Sequence, residues 1–182
     1  MFKFIFLLMS FCYGSVYQTQ IKDLGGDWVP MSKYKGKTVL AVNTASKCGY
    51  TPQLKDLESL YQKFKSKDFV VLGFPSDDFN QEDLEGEKIK SFCKLNYGVT
   101  FPLFEKTHVT GKKMNPFYKK LFKSLEGQSV GWNFEKILID SKGRVVKKYK
   151  SAESPLGGEL EAKIKSLVKK KKKKSVKKTD EV

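Results

Sequence analysis

Two apolar runs constrain this chain more than anything else in it: TVLAVNTA at 38–45 and FVVLGFP at 69–75. Neither alternates apolar with polar residues, so each reads as a strand buried on both faces. Between them, QLKDLESLYQKFKSK (53–67) spaces Leu54, Leu57, Leu60, Tyr61 and Phe64 as the apolar stripe of a helix, with charges in between. Thr51 suits the N-cap of that helix and Pro52 its first position. Strand, helix and strand within about forty residues form a βαβ unit, which requires a parallel pair.

The rest of the pattern extends this unit. SDDFNQEDLEGE is polar and loop-like, and EKIKSFCKLN (87–96) sets Ile89, Phe92 and Cys93 on one helical face. VTFPLF (99–104) reads as a strand that Pro102 confines to an edge or a special turn. Asn115-Pro116 opens a helix with Phe117, Leu121 and Leu125 four apart. FEKILID and RVVKKY flank Ser141-Lys142-Gly143 as a hairpin, and a last helix over 158–168 carries Leu160, Ile164, Leu167 and Val168. Parallel strands early, an antiparallel hairpin late and a closing helix describe an α/β fold of thioredoxin type, a central mixed sheet flanked by helices. There is no internal repeat.

At 182 residues and 40% hydrophobic, the chain suffices for one cored domain and is short for two. Lys3, an apolar run from Phe4 to Tyr13, then Gly14 and Ser15 have the layout of a secretory signal peptide; the run is too short for the roughly 20 residues of a membrane span. A buried strand or a short anchor is the alternative for this segment. The expected organisation is a signal peptide at 1–18, a domain at 19–168 and a disordered lysine-rich tail at 169–182, in a secreted or periplasmic protein. Removal of the signal takes Cys12 with it and leaves two cysteines where disulfides can form. The tail has eight lysines against Asp180 and Glu181, net +6 of the chain's +15. Without interleaved aromatics it does not read as a specific nucleic-acid binder; a solubilising role or contact with an anionic surface fits it. Three cysteines and one histidine, with no CxxC or HxxxH spacing, argue against a zinc site. His108, in KTHVTGKK, reads as a solvated loop histidine.

Chemistry centres on Cys48, in SKCGYTP between the first strand and its helix. A thiol reacts as thiolate, with a free pKa of about 8.5. Helix amides aimed back at the sulfur, a Gly49 that admits close backbone approach, and the charge of Lys47 all favour that form. A small buried structural cysteine is the other reading.

VNTASKCGYTPQ, LGFPSDDFNQE, FCKLNYGVTFPLF and GWNFEKILID occur in that order and together resemble the glutathione peroxidase family in its cysteine form, over roughly residues 20–168. The resemblance implies a peroxidase that reduces hydrogen peroxide and organic hydroperoxides, needs no cofactor or metal, and answers oxidative stress. The family's peroxidatic cysteine falls on Cys48, which would pass through a sulfenic acid. Trp132 and Asn133 match its tryptophan and asparagine, an indole N–H and an amide N–H₂ able to stabilise developing charge. Its glutamine lies in an FPxNQF motif that reads Phe74-Pro75-Ser76-Asp77-Asp78-Phe79 here, which puts Asp78 at that position. A carboxylate beside the sulfur would oppose the thiolate, unless it is protonated or turned away. Gln81 lies close in sequence but matches another family position.

Cys93 resembles the resolving cysteine of members reduced by thioredoxin, although Ile89 and Phe92 on the same face also suit a buried helical thiol. A disulfide to Cys48 would require the 87–96 segment to unwind locally. The short EGQSVG link before Trp132 resembles monomeric members. The implied partners are a hydroperoxide and a reductant, a thioredoxin-like protein or, alternatively, glutathione. A redox sensor or binding protein without efficient turnover is the alternative from a different class.

Overall fold

The computed structural model describes residues 16–168. The signal-peptide reading of the N-terminus, apart from residues 16–18, and the lysine-tail reading lie outside the described residues. Val16–Gln18 form a single 3-10 turn with Val16 and Tyr17 buried against the sheet.

Strands β1 (Gln20–Lys22) and β2 (Trp28–Pro30) pair antiparallel as a small hairpin. The βαβ unit follows as β3 (Thr38–Thr44), α1 (Gln53–Phe64) and β4 (Phe69–Pro75). Then come α2 (Gly86–Tyr97), α3 (Pro116–Lys123), β5 (Lys136–Ile139), β6 (Val145–Tyr149) and α4 (Glu159–Leu167). The main sheet has the order β4-β3-β5-β6, with β3 parallel to β4 and antiparallel to β5. This is the thioredoxin-like α/β arrangement expected from the sequence.

Two-fold alternation along each strand explains why the apolar runs are continuous. Leu40, Val42, Val71 and Leu138 face one core with Leu54, Leu57, Leu60, Ile89 and Ile164 of the helices. Val39, Ala41, Leu72, Phe74 and Ile137 face the other, with Phe117, Tyr118 and Leu121 of α3. Helix α3 starts as expected: Asn115 accepts the Tyr118 N–H at 3.0 Å, and Pro116 needs no amide partner.

Two local expectations change, and one element is new. Thr51 does not cap α1; Pro52 occupies the N-cap without a side-chain bond, because the Thr51 hydroxyl is used inside the preceding turn. Residues 99–104 form no strand. They touch β4 through a single bridge between Gly73 and Leu103, with Gly73 N–H on the Pro102 carbonyl at 2.9 Å and Phe104 N–H on the Gly73 carbonyl at 3.0 Å. Pro102 has no N–H to extend a ladder. Instead, the nearly buried Glu58 of α1 holds the segment, accepting from the Thr100 amide and hydroxyl at 2.7 and 2.6 Å and the Phe101 amide at 3.3 Å. The β1–β2 hairpin had no counterpart in the sequence pattern, its strands being three residues each.

This crossing also explains a glycine inside an apolar strand. A Cβ on Gly73 would stand 2.5 Å from Leu103 Cδ2 and 3.2 Å from the Phe101 ring. Gly73→Val is therefore expected to destabilise the protein by about 1–3 kcal/mol, the usual cost of overpacking, measured as a lower urea midpoint with an unchanged slope.

Candidate active site

Cys48 sits in the turn between β3 and α1, four residues past the end of the strand, and is 6% exposed. The turn that carries it is closed by a reciprocal pair: Cys48 N–H donates to Thr51 Oγ1 at 3.1 Å, and Thr51 N–H to the Cys48 carbonyl at 2.9 Å. Thr51 Oγ1 in turn donates to the Ala45 carbonyl at 2.8 Å. The Tyr50 amide donates to Cys48 Sγ at 3.5 Å, so a backbone N–H from the turn into α1 does reach the sulfur. Lys47 is not available to it in the way the sequence implied: its ammonium forms an ion pair with Asp83.

Trp132 and Asn133 arrive at the same end of the sheet. The Asn43 amide donates to the Trp132 carbonyl at 3.0 Å, and the Phe134 N–H to the Asn43 carbonyl at 2.7 Å, which locks the entry to β5 onto the end of β3. Phe134 has a positive φ of 63°, a sharp reversal that sets Asn133 inward, fully buried, and leaves Trp132 44% exposed. Asn133 Nδ2 donates to Gln81 Oε1 at 2.8 Å. The loop bearing Gln81 is anchored beside the cysteine, since the Lys47 amide donates to the Gln81 carbonyl at 3.0 Å. Gln81 spends its side-chain oxygen on Asn133, so its N–H₂ remains a donor. On the same loop, Phe79 packs against the Trp132 ring at 5.3 Å between centroids.

Asp78 is elsewhere. Its Oδ1 lies 2.6 Å from His108 Nδ1, and its Oδ2 accepts from the Val109 and Thr110 amides at 2.6 and 2.8 Å. The glutamine-position reading of Asp78 is thus corrected: three partners on the 108–110 loop claim the carboxylate, and Gln81 is the amide that meets Asn133. His108, half-exposed, is not a lone solvated histidine but the partner of Asp78. Burial alone would raise the Asp78 pKa; the bonds from His108, Thr110 and Val109 outweigh it and hold the carboxyl below its ordinary value of 3.8.

Cys93 lies in the middle of α2, 4% exposed and free, in the same apolar cluster as Cys48. Burial, with a contribution from the nearby Glu82 carboxylate, pushes its thiol up to about 12. The pattern that put Cys93 on a buried helical face holds. Among the described residues no group of three or more His, Cys, Asp or Glu side chains is placed to hold a metal ion.

A buried polar network behind the site was not read from the sequence. Lys136 is wholly buried, with Nζ donating to the Ser151 and Glu153 carbonyls at 2.9 and 2.6 Å. Burial lowers its pKa to about 8, although the Glu153 and Glu135 carboxylates work the other way. Ser151 Oγ donates to the Asn133 carbonyl at 2.6 Å, and Gln53 Nε2 of α1 to the Ser151 carbonyl at 2.9 Å. The only sequence signal for this network was a charged residue inside the apolar run of β5.

Comparison with known proteins bears on what this arrangement is. The sequence profile of glutathione peroxidase matches residues 16–122. A glutathione peroxidase-like peroxiredoxin of Schizosaccharomyces pombe is 48% identical over 143 residues, 76% of this chain and 90% of its own. A hydroperoxy fatty acid reductase of Synechocystis sp. is 41% identical over 164 residues, 85% of this chain and 96% of its own. Among solved structures, the apo crystal structure of Trgpx is 39% identical with a TM-score of 0.68, covering 84% of this chain and 95% of that one.

Two outcomes follow from the geometry. Thr51→Val removes both bonds of the Thr51 hydroxyl, to the Cys48 N–H and the Ala45 carbonyl, and strands the buried Cys48 amide; it is expected to cost about 1–3 kcal/mol, read by chemical denaturation. Asp78 binds protons less readily folded than unfolded, so the unfolded state takes up more protons in that range and stability rises with pH. The contribution is complete above the unfolded value near 3.8 and is lost as pH falls through the lower folded value. Asp78→Asn is therefore expected to be less stable than wild type at pH 6, with the gap closing below pH 3.8, measured by unfolding midpoints across that range.

Proposed function

Because the chain belongs to the glutathione peroxidase family, we propose that it is a thiol peroxidase in which Cys48 reduces hydrogen peroxide and organic hydroperoxides. The observation that carries this is the convergence of the Cys48 turn with Gln81, Trp132 and Asn133 at one end of the sheet. The Cys48 thiolate attacks the terminal peroxide oxygen. The S–O bond forms as the O–O bond breaks, and the departing oxygen takes a proton and leaves as water or alcohol. The sulfur is oxidised to a sulfenic acid. N–H donors of Gln81, Trp132 and Asn133 are the groups suited to the charge that builds on sulfur and departing oxygen.

The sulfenic acid is resolved by Cys93, whose sulfur displaces water to give a Cys48–Cys93 disulfide. In the reduced form Cys93 is buried in α2 and its thiol is held near pKa 12. Local opening of α2 after oxidation exposes it and lowers that barrier. A thioredoxin-like protein then reduces the disulfide by thiol–disulfide exchange. We further read the protein as a monomer, exported by its N-terminal segment, whose lysine-rich segment 169–182 contacts anionic surfaces. Glutathione is the alternative donor, acting on the sulfenic acid directly.

One equivalent of hydrogen peroxide is expected to convert reduced protein to the Cys48–Cys93 disulfide, read by peptide mass mapping. Cys48→Ser should lose all peroxidase turnover, and Gln81→Ala should slow sulfur oxidation by about 10- to 1,000-fold. Cys93→Ser should still oxidise but not turn over with thioredoxin. A persistent Cys48 sulfenic acid with Cys93 free would overturn the resolving step; turnover with glutathione alone would exchange the donor. Oxidation without turnover by either donor would make the protein a sensor.

A further inference from the structure

The loop leaving β4 carries two side chains of the site, Phe79 against Trp132 and Gln81 against Asn133. Its far end is tied to the cysteine turn through the Gln81 carbonyl. Its near end is tied outward, through Asp78, to the loop that precedes α3. That second loop is a fixed platform. Thr107 N–H donates to the Pro75 carbonyl at 2.9 Å, Asn115 N–H to the His108 carbonyl at 2.9 Å, and Val109 is wholly buried. Lys106 Nζ adds a bond to the Glu82 carbonyl at 3.2 Å.

We infer that Asp78 and His108 are positioning residues, whose contact braces the 76–83 loop and so holds Phe79 against Trp132 and Gln81 against Asn133, beside the Cys48 turn. Asp78 stands one residue before Phe79 and three before Gln81, so a shift at its carboxylate passes directly to both. The chemistry of the bracket is specific. A carboxylate accepts from two backbone amides on one oxygen while its second oxygen faces the imidazole. An alanine keeps none of these bonds, and an asparagine keeps the acceptor for the two amides. Loss of the brace leaves Cys48 and its turn intact, since none of the turn's hydrogen bonds involves Asp78. The inference rests on the peroxidase reading above for what Gln81 and Trp132 do.

The test uses a Trp28→Phe background, in which Trp132 is the sole tryptophan of the two in the chain. Sulfur oxidation by hydrogen peroxide and alkylation by iodoacetamide, which needs no donor from Gln81, are timed in parallel. Asp78→Ala is expected to slow peroxide oxidation by about 10-fold or more with alkylation changed less than about twofold, and to shift Trp132 emission as the Phe79 contact loosens. Asp78→Asn is expected to restore most of the peroxide rate. His108→Ala, a change on a half-exposed side chain, should show the same selective loss to a smaller degree and serves if Asp78→Ala does not fold. A wild-type peroxide rate in Asp78→Ala and His108→Ala, or equal slowing of both reagents, would overturn the inference. Should the background protein itself react with peroxide no faster than a free thiol, the peroxidase reading fails instead. Trp132 emission then decides the brace: a shift supports it and no shift overturns it.

Discussion

Strand β3 is hydrogen-bonded along both edges and covered on both faces. Parallel pairing to β4 and antiparallel pairing to β5 leave Val39 to Val42 at 0–1% exposure, so the strand can neither slide nor tilt without breaking two ladders and two cores. Its last residues are therefore a fixed point. The chain leaves that point toward Cys48; β4 ends beside it, Thr44 opposite Pro75, and continues toward Gln81. Because β5 runs the other way, its beginning lies at this same end, and the segment entering it carries Trp132 and Asn133. One parallel and one antiparallel neighbour bring three separate stretches of sequence to one place. The reciprocal amide bonds between Cys48 and Thr51 then hold the sulfur at that place.

Behind the site the protein buries charge. A lone ammonium in an apolar interior costs several kcal/mol, and that cost is tolerated only with good partners. Lys136 has two backbone carbonyls, and both belong to the 151–153 turn that reaches Asn133 and α1. The same residue thus fastens β5, the turn and the start of α1 together. Glu58 of α1 does the equivalent work for the 99–104 segment, where it gathers the Thr100 and Phe101 amides. In both cases a charged side chain takes up backbone groups that no regular element satisfies.

The two cysteines share one apolar cluster but differ in their local surroundings. Cys48 is held in a turn with a backbone amide on its sulfur, and its own hydrogen bonds are to Tyr50 and Thr51. Cys93 is packed in a regular helix among apolar neighbours, and its thiol is kept protonated by burial. Both cysteines are nearly buried, at 6% and 4% exposure, and what distinguishes Cys48 is the backbone amide that reaches its sulfur. In the proposed reaction, joining them would be a matter of helix stability as much as of sulfur chemistry.

Much of this was legible in the chain. The unalternating runs at 38–45 and 69–75, the stripe of α1 and the Asn115-Pro116 start specify strands, helices and the parallel crossover, because hydrophobic period and capping are local properties. Cys48, Trp132, Asn133 and the buried face of Cys93 could likewise be named from short motifs. What the sequence could not settle was which polar group meets which. Asp78 and Gln81 sit three residues apart on one irregular loop, and no periodicity says which meets Asn133. Thr51 could equally cap a helix or close a turn. Those choices depend on where the 108–110 amides, the Asn133 amide and the Ala45 carbonyl stand in space. Such partners lie tens of residues away or across a turn. Hydrogen bonds are short-ranged and directional, so only the assembled sheet and its loops decide them.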